Sequence, residues 1–191
     1  MLTPAAARYS RWMTTRHVSL LRGINVGGHN VISMARLRAL YAALGCEDVE
    51  TYLQSGNVVF RRARDPAGVG RGVERAIKRE LGLEIGVLDR THAALAAIVD
   101  ADQFPDADPS RRFVMFLSGR PGREIARELD HVQLGADQAY LVGEELHLHC
   151  PDGLGASRLP GLLSERRLGV ATTTRNWRTV TRLLEMSGDQ P

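Results

Sequence analysis

The sequence lacks the features that mark several classes of protein. No apolar run reaches the roughly 18 residues with which a helix crosses a membrane. The glycines do not have the spacing of a dinucleotide fingerprint or a Walker loop, and no Gly-x-Ser-x-Gly, His-Glu-x-x-His or Cys–His signature occurs. Aromatic residues make up only 5% of the chain. An RNA-recognition sheet stacks bases on aromatic side chains, so the composition does not favour one. The best-known catalytic motifs are therefore absent.

Cysteine is scarce as well. The chain has two cysteines, Cys46 and Cys150, and neither lies in a Cys-x-x-Cys pair. A disulfide framework is not indicated, and this usage suits a reducing cytoplasm, where we expect the protein to reside. Cys150 ends an apolar strand pattern and is predicted to be a small buried hydrophobic residue.

Lysine is almost missing, because the 25 basic residues are 24 arginines and Lys78. The net charge is +3, with 14 basic against 9 acidic residues up to position 100 and 11 against 13 beyond it. No block of five like charges occurs. A modest basic patch on the first half leaves a nucleic-acid partner open, although solvated charge explains it more simply.

With 191 residues and 21.0 kDa, the chain can form one domain or two small ones. At this size a core needs neither disulfide nor metal. No apolar periodicity precedes Arg16, so residues 1–15 are predicted to be a flexible tail, with Met13 as an alternative start. We expect a chain that begins at Met13 to be as stable as the whole chain.

Hydrophobic periodicity predicts the same order of elements twice. The first half has predicted strands at 16–22, 49–54, 58–60 and 85–88, and helices at 33–44, 69–81 and 91–98. The second half has predicted strands at 113–117, 139–142, 145–150 and 170–173, and helices at 123–129, 160–168 and 177–187. Each half thus has the order β-α-β-β-α-β-α. The sequence predicts an α+β fold of two ferredoxin-like (βαββαβ) units in tandem, each with an antiparallel sheet, helices on one face and a trailing helix.

A linker is predicted between the units. The stretch from Asp100 to Ser110 contains two prolines and four aspartates, residues that resist helix and strand. The predicted organisation is therefore a tail at 1–15, a first unit at 16–100, a linker at 101–110 and a second unit at 111–191.

Two motifs of the first half carry candidate binding residues. The Gly/Asn-rich segment from Arg22 to Asn30 joins a strand to a helix, and its backbone can turn several N–H groups toward an anion, with an arginine as counter-charge. The segment Gln54–Asn57 is a hairpin tip with an amide and a hydroxyl that the turn does not need. The simpler interpretations are that the first segment is only a flexible connection and that the second is an ordinary polar turn. The candidates are Arg22, Asn25, Gly27, Gly28, Asn30, Gln54, Ser55 and Asn57.

Two motifs of the second half add to them. Pro151–Arg158 follows a strand and supplies a carboxylate, glycines and an arginine. Thr172–Trp177 is predicted to be a turn into the last helix, where Asn176 as a plain helix cap and Trp177 as a core residue are the competing interpretations. The candidates are Asp152, Ser157, Arg158, Arg175 and Asn176.

No metal site or cofactor is predicted. His147 and His149 share one face of a strand, but ligation would need a third ligand, and a solvated sheet face is the simpler expectation.

The motifs together resemble a bacterial family, domain of unknown function 1697. The resemblance is carried by the segments Leu20–Gly28, Thr51–Phe60, Pro151–Gly155, Ser157–Leu159 and Thr173–Val180, and it extends over residues 16–187. It implies a pair of ferredoxin-like units and no established activity.

Three functions remain open. The first is a protein that binds an anionic or phosphorylated small ligand in a cleft lined by all four motifs. The second is an enzyme that uses the same cleft, with Asp152 as acid or base and Ser55 or Ser157 as weaker candidates. The third is a nucleic-acid binder. No membrane partner is expected, and the oligomeric state is not predicted.

Overall fold

The computed structural model describes residues 15–62 and 68–188. The chain forms two compact units. Among the described residues, the first unit comprises 15–94 and 183–188, and the second comprises 95–182. The predicted linker, 101–110, lies inside the second unit. The predicted tail, 1–15, lies outside the described residues except for Thr15, which begins the first strand and therefore does not belong to a tail.

The first unit is built around a four-stranded antiparallel sheet. Its strands are β1 (Thr15–Leu21), β2 (Glu47–Tyr52), β3 (Asn57–Arg62) and β4 (Val87–Thr91), in the order β2-β3-β1-β4. Helix α1 (Met34–Ala43) follows β1, α2 (Val69–Leu81) follows β3, and α3 (His92–Asp100) follows β4. Strands β1 and β2 are both antiparallel to β3, so they run in the same direction. Their C-terminal ends therefore lie at the same edge of the sheet.

One face of this sheet packs on α1 and α2. Strand residues Leu21, Val58 and Phe60 lie in one core with helix residues that include Leu37 and Tyr41, all fully buried. Ser33 caps the start of helix α1, because its hydroxyl accepts the Arg36 N–H at 3.2 Å. Helix α2 ends at Gly82 in a left-handed conformation, as the sequence predicts.

The second unit contains a five-stranded antiparallel sheet in the order β6-β7-β8-β5-β9. The strands are β5 (Arg112–Leu117), β6 (Val132–Leu134), β7 (Asp137–Val142), β8 (Glu145–His149) and β9 (Thr172–Asn176). The helices that follow are α4 (Arg123–Glu128), α5 (Leu159–Leu162), α6 (Glu165–Leu168) and α7 (Trp177–Ser187), and the residues of α7 from 183 onward belong to the first unit. The core of this unit includes Met115, Leu146 and Leu159. Within the described ranges, no helix is long and apolar enough to cross a membrane.

Four local expectations are wrong. The predicted turn at 172–177 is strand β9 followed at once by α7, and the helix predicted at 160–168 is split at Leu163 and Ser164 into α5 and α6. Strand β6 is not among the predicted strands, because its three residues are too few to show a periodicity. His147 is not on a solvated face, because it is only 2% exposed.

Candidate functional site

The loop after β1 is closed on itself by hydrogen bonds. The Asn25 backbone N–H donates to the Asn30 carbonyl at 3.2 Å, and the Asn30 side-chain amide donates to the Gly23 carbonyl at 3.0 Å. At the tip, the His29 N–H donates to the Val26 carbonyl at 2.9 Å. Five positions have a positive φ, which is why glycine and asparagine occupy them. They are Gly23, Asn25, Gly27, Gly28 and Asn30.

This loop is fastened to the turn between β2 and β3. The Asn25 side-chain amide donates to the Gln54 carbonyl at 2.7 Å and to the Ile32 carbonyl at 3.0 Å, and its oxygen accepts the Ile32 N–H at 2.9 Å. The Leu21 N–H donates to the Gly56 carbonyl at 2.8 Å. A Cβ added at Gly56 would lie 2.7 Å from the Leu21 Cβ, so only glycine permits this approach. We call residues 22–31 and 53–57 together the loop pair.

Three of the predicted binding residues use their side chains inside the loop pair. The amides of Asn25 and Asn30 hold the first loop, as described above. Asn57 is fully buried, and its amide donates to the Tyr52 carbonyl at 2.9 Å and to the Ser55 hydroxyl at 3.1 Å. These asparagines position the backbone, whereas Gly27, Gly28 and Gln54 are exposed.

The loop pair also exposes apolar side chains that sequence reasoning missed. Val26 is 63% exposed, Val31 69% and Leu53 55%, and these are the exposed large hydrophobic residues of the part of the chain that the structure describes. Leu53 has a φ of 58°, which a leucine rarely adopts. The sequence signal that could have indicated this exposure is the presence of an apolar residue, Leu53, beside the polar residues of the β2–β3 turn. Apolar exposure and backbone strain therefore coincide here.

Arg22 lies on the other side of β1 from Gln54. Its backbone N–H donates to the Gly86 carbonyl at 2.9 Å, and a Cβ added at Gly86 would lie 3.2 Å from the Arg22 Cδ. Gly86 immediately precedes β4, and β1 lies between β3 and β4 in the sheet. Arg22 and Gln54 thus flank the end of β1 at one edge.

In the second unit, the loop after β8 is organised around Ser157. The Ser157 hydroxyl donates to the Asp137 carboxylate at 2.6 Å and accepts the Leu159 N–H at 3.0 Å, so it joins the start of β7 to the first residue of α5. Burial raises the pKa of the neighbouring Cys150 thiol. Asp152 and Arg158 belong to the same loop, and among the described residues neither side chain forms a hydrogen bond or ion pair.

Arg175 and Asn176 lie in β9 and not in a turn. Arg175 is only 8% exposed, its guanidinium donates to the Thr173 hydroxyl at 2.8 Å, and burial lowers its pKa to about 10. The Asn176 amide lies 3.1–3.3 Å from the carbonyls of Pro109, Ser110 and Arg112, and its oxygen accepts the Arg178 N–H at 3.0 Å. Asn176 therefore fastens the start of β5 to the start of α7.

A buried cationic and aromatic cluster lies beside them. The Arg112 guanidinium lies 4.8 Å from the centre of the Trp177 ring and donates to Asp102 at 2.6 Å. The His147 ring is 6.1 Å from Trp177, and burial lowers its pKa, which favours the neutral imidazole. Within residues 15–62 and 68–188, no three His, Cys, Asp or Glu side chains are grouped to hold a metal ion.

Most of the chain matches one protein family. The model of a family described as Protein of unknown function (DUF1697) matches residues 13–147. The chain belongs to this family. The match confirms the resemblance to this family and includes the whole loop pair, whereas the motifs at 151–155, 157–159 and 173–180 lie outside the matched residues.

A solved structure is also similar. The structure of the conserved bacterial protein SP0830 from Streptococcus pneumoniae aligns with a TM-score of 0.70 at 22% identity, over 92% of this chain and 99% of that one. At this identity the likeness concerns the fold alone. No curated protein matches the chain.

Proposed function

We propose that this protein binds a small anionic or phosphorylated ligand, and that the loop pair of the first unit receives it. The observation that carries the proposal is the coincidence, at one edge of the sheet, of exposed apolar side chains, a strained leucine and an exposed glycine pair. Strained backbone and exposed apolar surface are both typical of functional sites.

Pre-organisation supports this proposal. The Asn25 amide joins the two loops, and Gly56 packs so closely against Leu21 that no side chain would fit between them. The loops therefore have little freedom left to lose when a ligand binds, which favours affinity. Within the described residues, the N–H groups of Gly27 and Gly28 donate no hydrogen bond, so they are available to an anion.

The surroundings suggest a ligand of mixed character. Val26, Val31 and Leu53 offer apolar contact to its body, and the exposed glycine backbone offers donors to its charged group. Arg22 at the same edge supplies positive charge. Among the described residues, the Asp152 side chain forms no hydrogen bond or ion pair, so the enzyme alternative has no acid–base pair at this position to support it.

The proposal is tested by a thermal-shift screen against phosphorylated metabolites and nucleotides, since a ligand that selects the folded state raises the melting midpoint. For each ligand found, calorimetry compares the wild type with Arg22→Gln and Leu53→Gly. We expect each variant to bind at least about tenfold more weakly, which corresponds to about 1.4 kcal/mol.

Asp48→Gly is the matched control. Asp48 also has a positive φ, 48°, and an exposed side chain, but it lies in β2 and not in the loop pair. The control should relieve strain as Leu53→Gly does and leave the affinity unchanged. If no compound shifts the midpoint, or if Arg22→Gln and Leu53→Gly bind like the wild type, the loop pair is not the site.

We further propose that each sheet with its helices is a ferredoxin-like unit and that the two arose by duplication. Support comes from the strand orders: β2-β3-β1-β4 in the first unit has the same pattern as β7-β8-β5-β9 in the second, with β6 added at the edge. We also propose a cytoplasmic location, supported by the two free, buried cysteines.

A further inference from the structure

A cluster of three arginines lies in the second unit, at a place that the sequence motifs did not indicate. A cavity of about 650 Å³ opens beside helix α4 and the residues that flank it. It is lined by Arg120, Pro121, Arg123, Ala126, Arg127 and Asp130. The three arginines are exposed, and within the described residues none of them forms an ion pair or a side-chain hydrogen bond.

Local structure directs these arginines to the same space. Arg123 and Arg127 are four residues apart on α4 and therefore lie on one face of the helix. Arg120 lies in the preceding loop next to Pro121, which is buried and has a fixed φ. Like charges four residues apart repel each other. A bound anion would relieve the repulsion among three guanidinium groups around one cavity.

We propose that this cavity binds a small molecule with two or three linked phosphate groups. Guanidinium forks pair with phosphate oxygens through two parallel hydrogen bonds, and three forks can engage successive phosphates. The volume lies within the range of about 300–1,000 Å³ that small-molecule pockets occupy. The proposal does not depend on the loop pair, because it uses different residues in the other unit.

The acidic neighbours favour a small molecule over a nucleic acid. Glu124, Glu128 and Asp130 balance the three arginines, so the segment 120–130 has no net charge. A long polyanion tracking across this surface would meet the acidic side chains as well as the basic ones. A compact ligand held in the cavity meets the arginines and only Asp130.

The experiment is titration calorimetry of the full chain with inorganic tripolyphosphate in about 0.15 M salt, where diffuse surface charge is largely screened. We expect Arg120→Gln, Arg123→Gln and Arg127→Gln each to weaken binding at least about tenfold, as the loss of a charge-assisted pair should. Arg166→Gln is the matched control, because Arg166 is an exposed arginine of the same unit that does not line the cavity.

Asp130→Asn gives a prediction of opposite sign. Removing this carboxylate from the rim should tighten tripolyphosphate binding several-fold, which a variant that damages the fold would not do. The proposal is overturned if the wild type does not bind tripolyphosphate, if Arg166→Gln loses as much affinity as the cavity variants, or if a single-stranded RNA competes for the three arginines with higher affinity. Leu53→Gly alters the loop pair and not this cavity, so it should bind tripolyphosphate like the wild type. The result for the cavity can therefore be distinguished from the result for the loop pair.

Discussion

At the scale of single residues, asparagine side chains supply the hydrogen bonds that keep the candidate loops in place. Asn25 joins loops 29 residues apart in sequence, and Asn176 reaches carbonyls 64–67 residues away. The sequence predicts polar groups at these positions but not their partners, because the partners come from distant segments. A ligand-binding asparagine and a loop-bracing one have the same sequence signature.

Trp177 is the residue whose removal should be most costly in the second unit. It is 6% exposed, and its ring supports Arg112 and contacts His147. Trp177→Ala should lower the free energy of unfolding by roughly 3–5 kcal/mol, measured by urea denaturation. Trp177→Phe keeps an aromatic face under Arg112 and should cost clearly less. A loss below about 1 kcal/mol for the alanine variant would mean that the ring contributes little packing.

The Asp89 carboxylate gives the first unit a defined pH dependence. It accepts the Ser19 hydroxyl at 2.5 Å and the Gly70 N–H at 2.8 Å, and burial raises its pKa above the usual 3.8. A raised pKa means that Asp89 favours folding below pH 3.8 and that this contribution is lost as the pH rises through the folded-state pKa. Relative to the wild type, Asp89→Asn should therefore gain stability between about pH 3.5 and 7.

Urea denaturation across that pH range checks the sign. A wild-type stability that rises with pH relative to Asp89→Asn would show that the hydrogen bonds from Ser19 and Gly70 outweigh burial.

At the scale of elements, the contact between the first loop and the β2–β3 turn can be separated into strain and packing. Gly56→Ala should cost roughly 2–5 kcal/mol, because an alanine at φ 78° is strained and its Cβ would overlap Leu21 and Ile24. Gly23→Ala has similar strain, at φ 58°, but no atom within 4 Å of the new Cβ. It should cost only about 1–2 kcal/mol.

The difference between these two variants in thermal or urea unfolding measures how tightly the loops pack. Equal losses would mean that the turn moves away without penalty and that the loop pair is not pre-organised.

Elements with a strong local signal were predictable, and those defined by tertiary contact were not. Val69–Leu81 has an apolar stripe and a terminal Gly82, and its predicted bounds are confirmed. Strand β9, in contrast, is Thr-Thr-Thr-Arg-Asn, and the residues that it buries, Thr173 and Arg175, are polar. Hydrophobic alternation cannot follow a strand that buries polar side chains, so the predicted strand, 170–173, stops at Thr173, and the sequence predicts a turn where β9 continues.

At the scale of the whole molecule, the order of elements was predictable and the composition of the units was not. Alternating strand and helix patterns indicated α+β structure, and both sheets are antiparallel as expected. The sequence assigns the entire last helix to the second half, whereas residues 183–188 belong to the first unit. Nothing in the local pattern of α7 distinguishes its first half from its second, because both have the same apolar periodicity.

This assignment predicts that the end of α7 stabilises the first unit. Arg16 donates to the Met186 carbonyl at 2.5 Å, the His92 ring lies 3.0 Å from the Ser187 hydroxyl, and Leu183 is fully buried. A chain ending at Arg182 should therefore lose at least about 2–5 kcal/mol from the burial of Leu183 alone. The loss should appear as faster amide exchange in β1, measured by hydrogen exchange. A chain ending at Gly188 retains all of these contacts and serves as the control. If β1 amides stay equally protected in both truncated chains, residues 183–188 do not support the first unit, and its boundary lies nearer to the one that the sequence predicts.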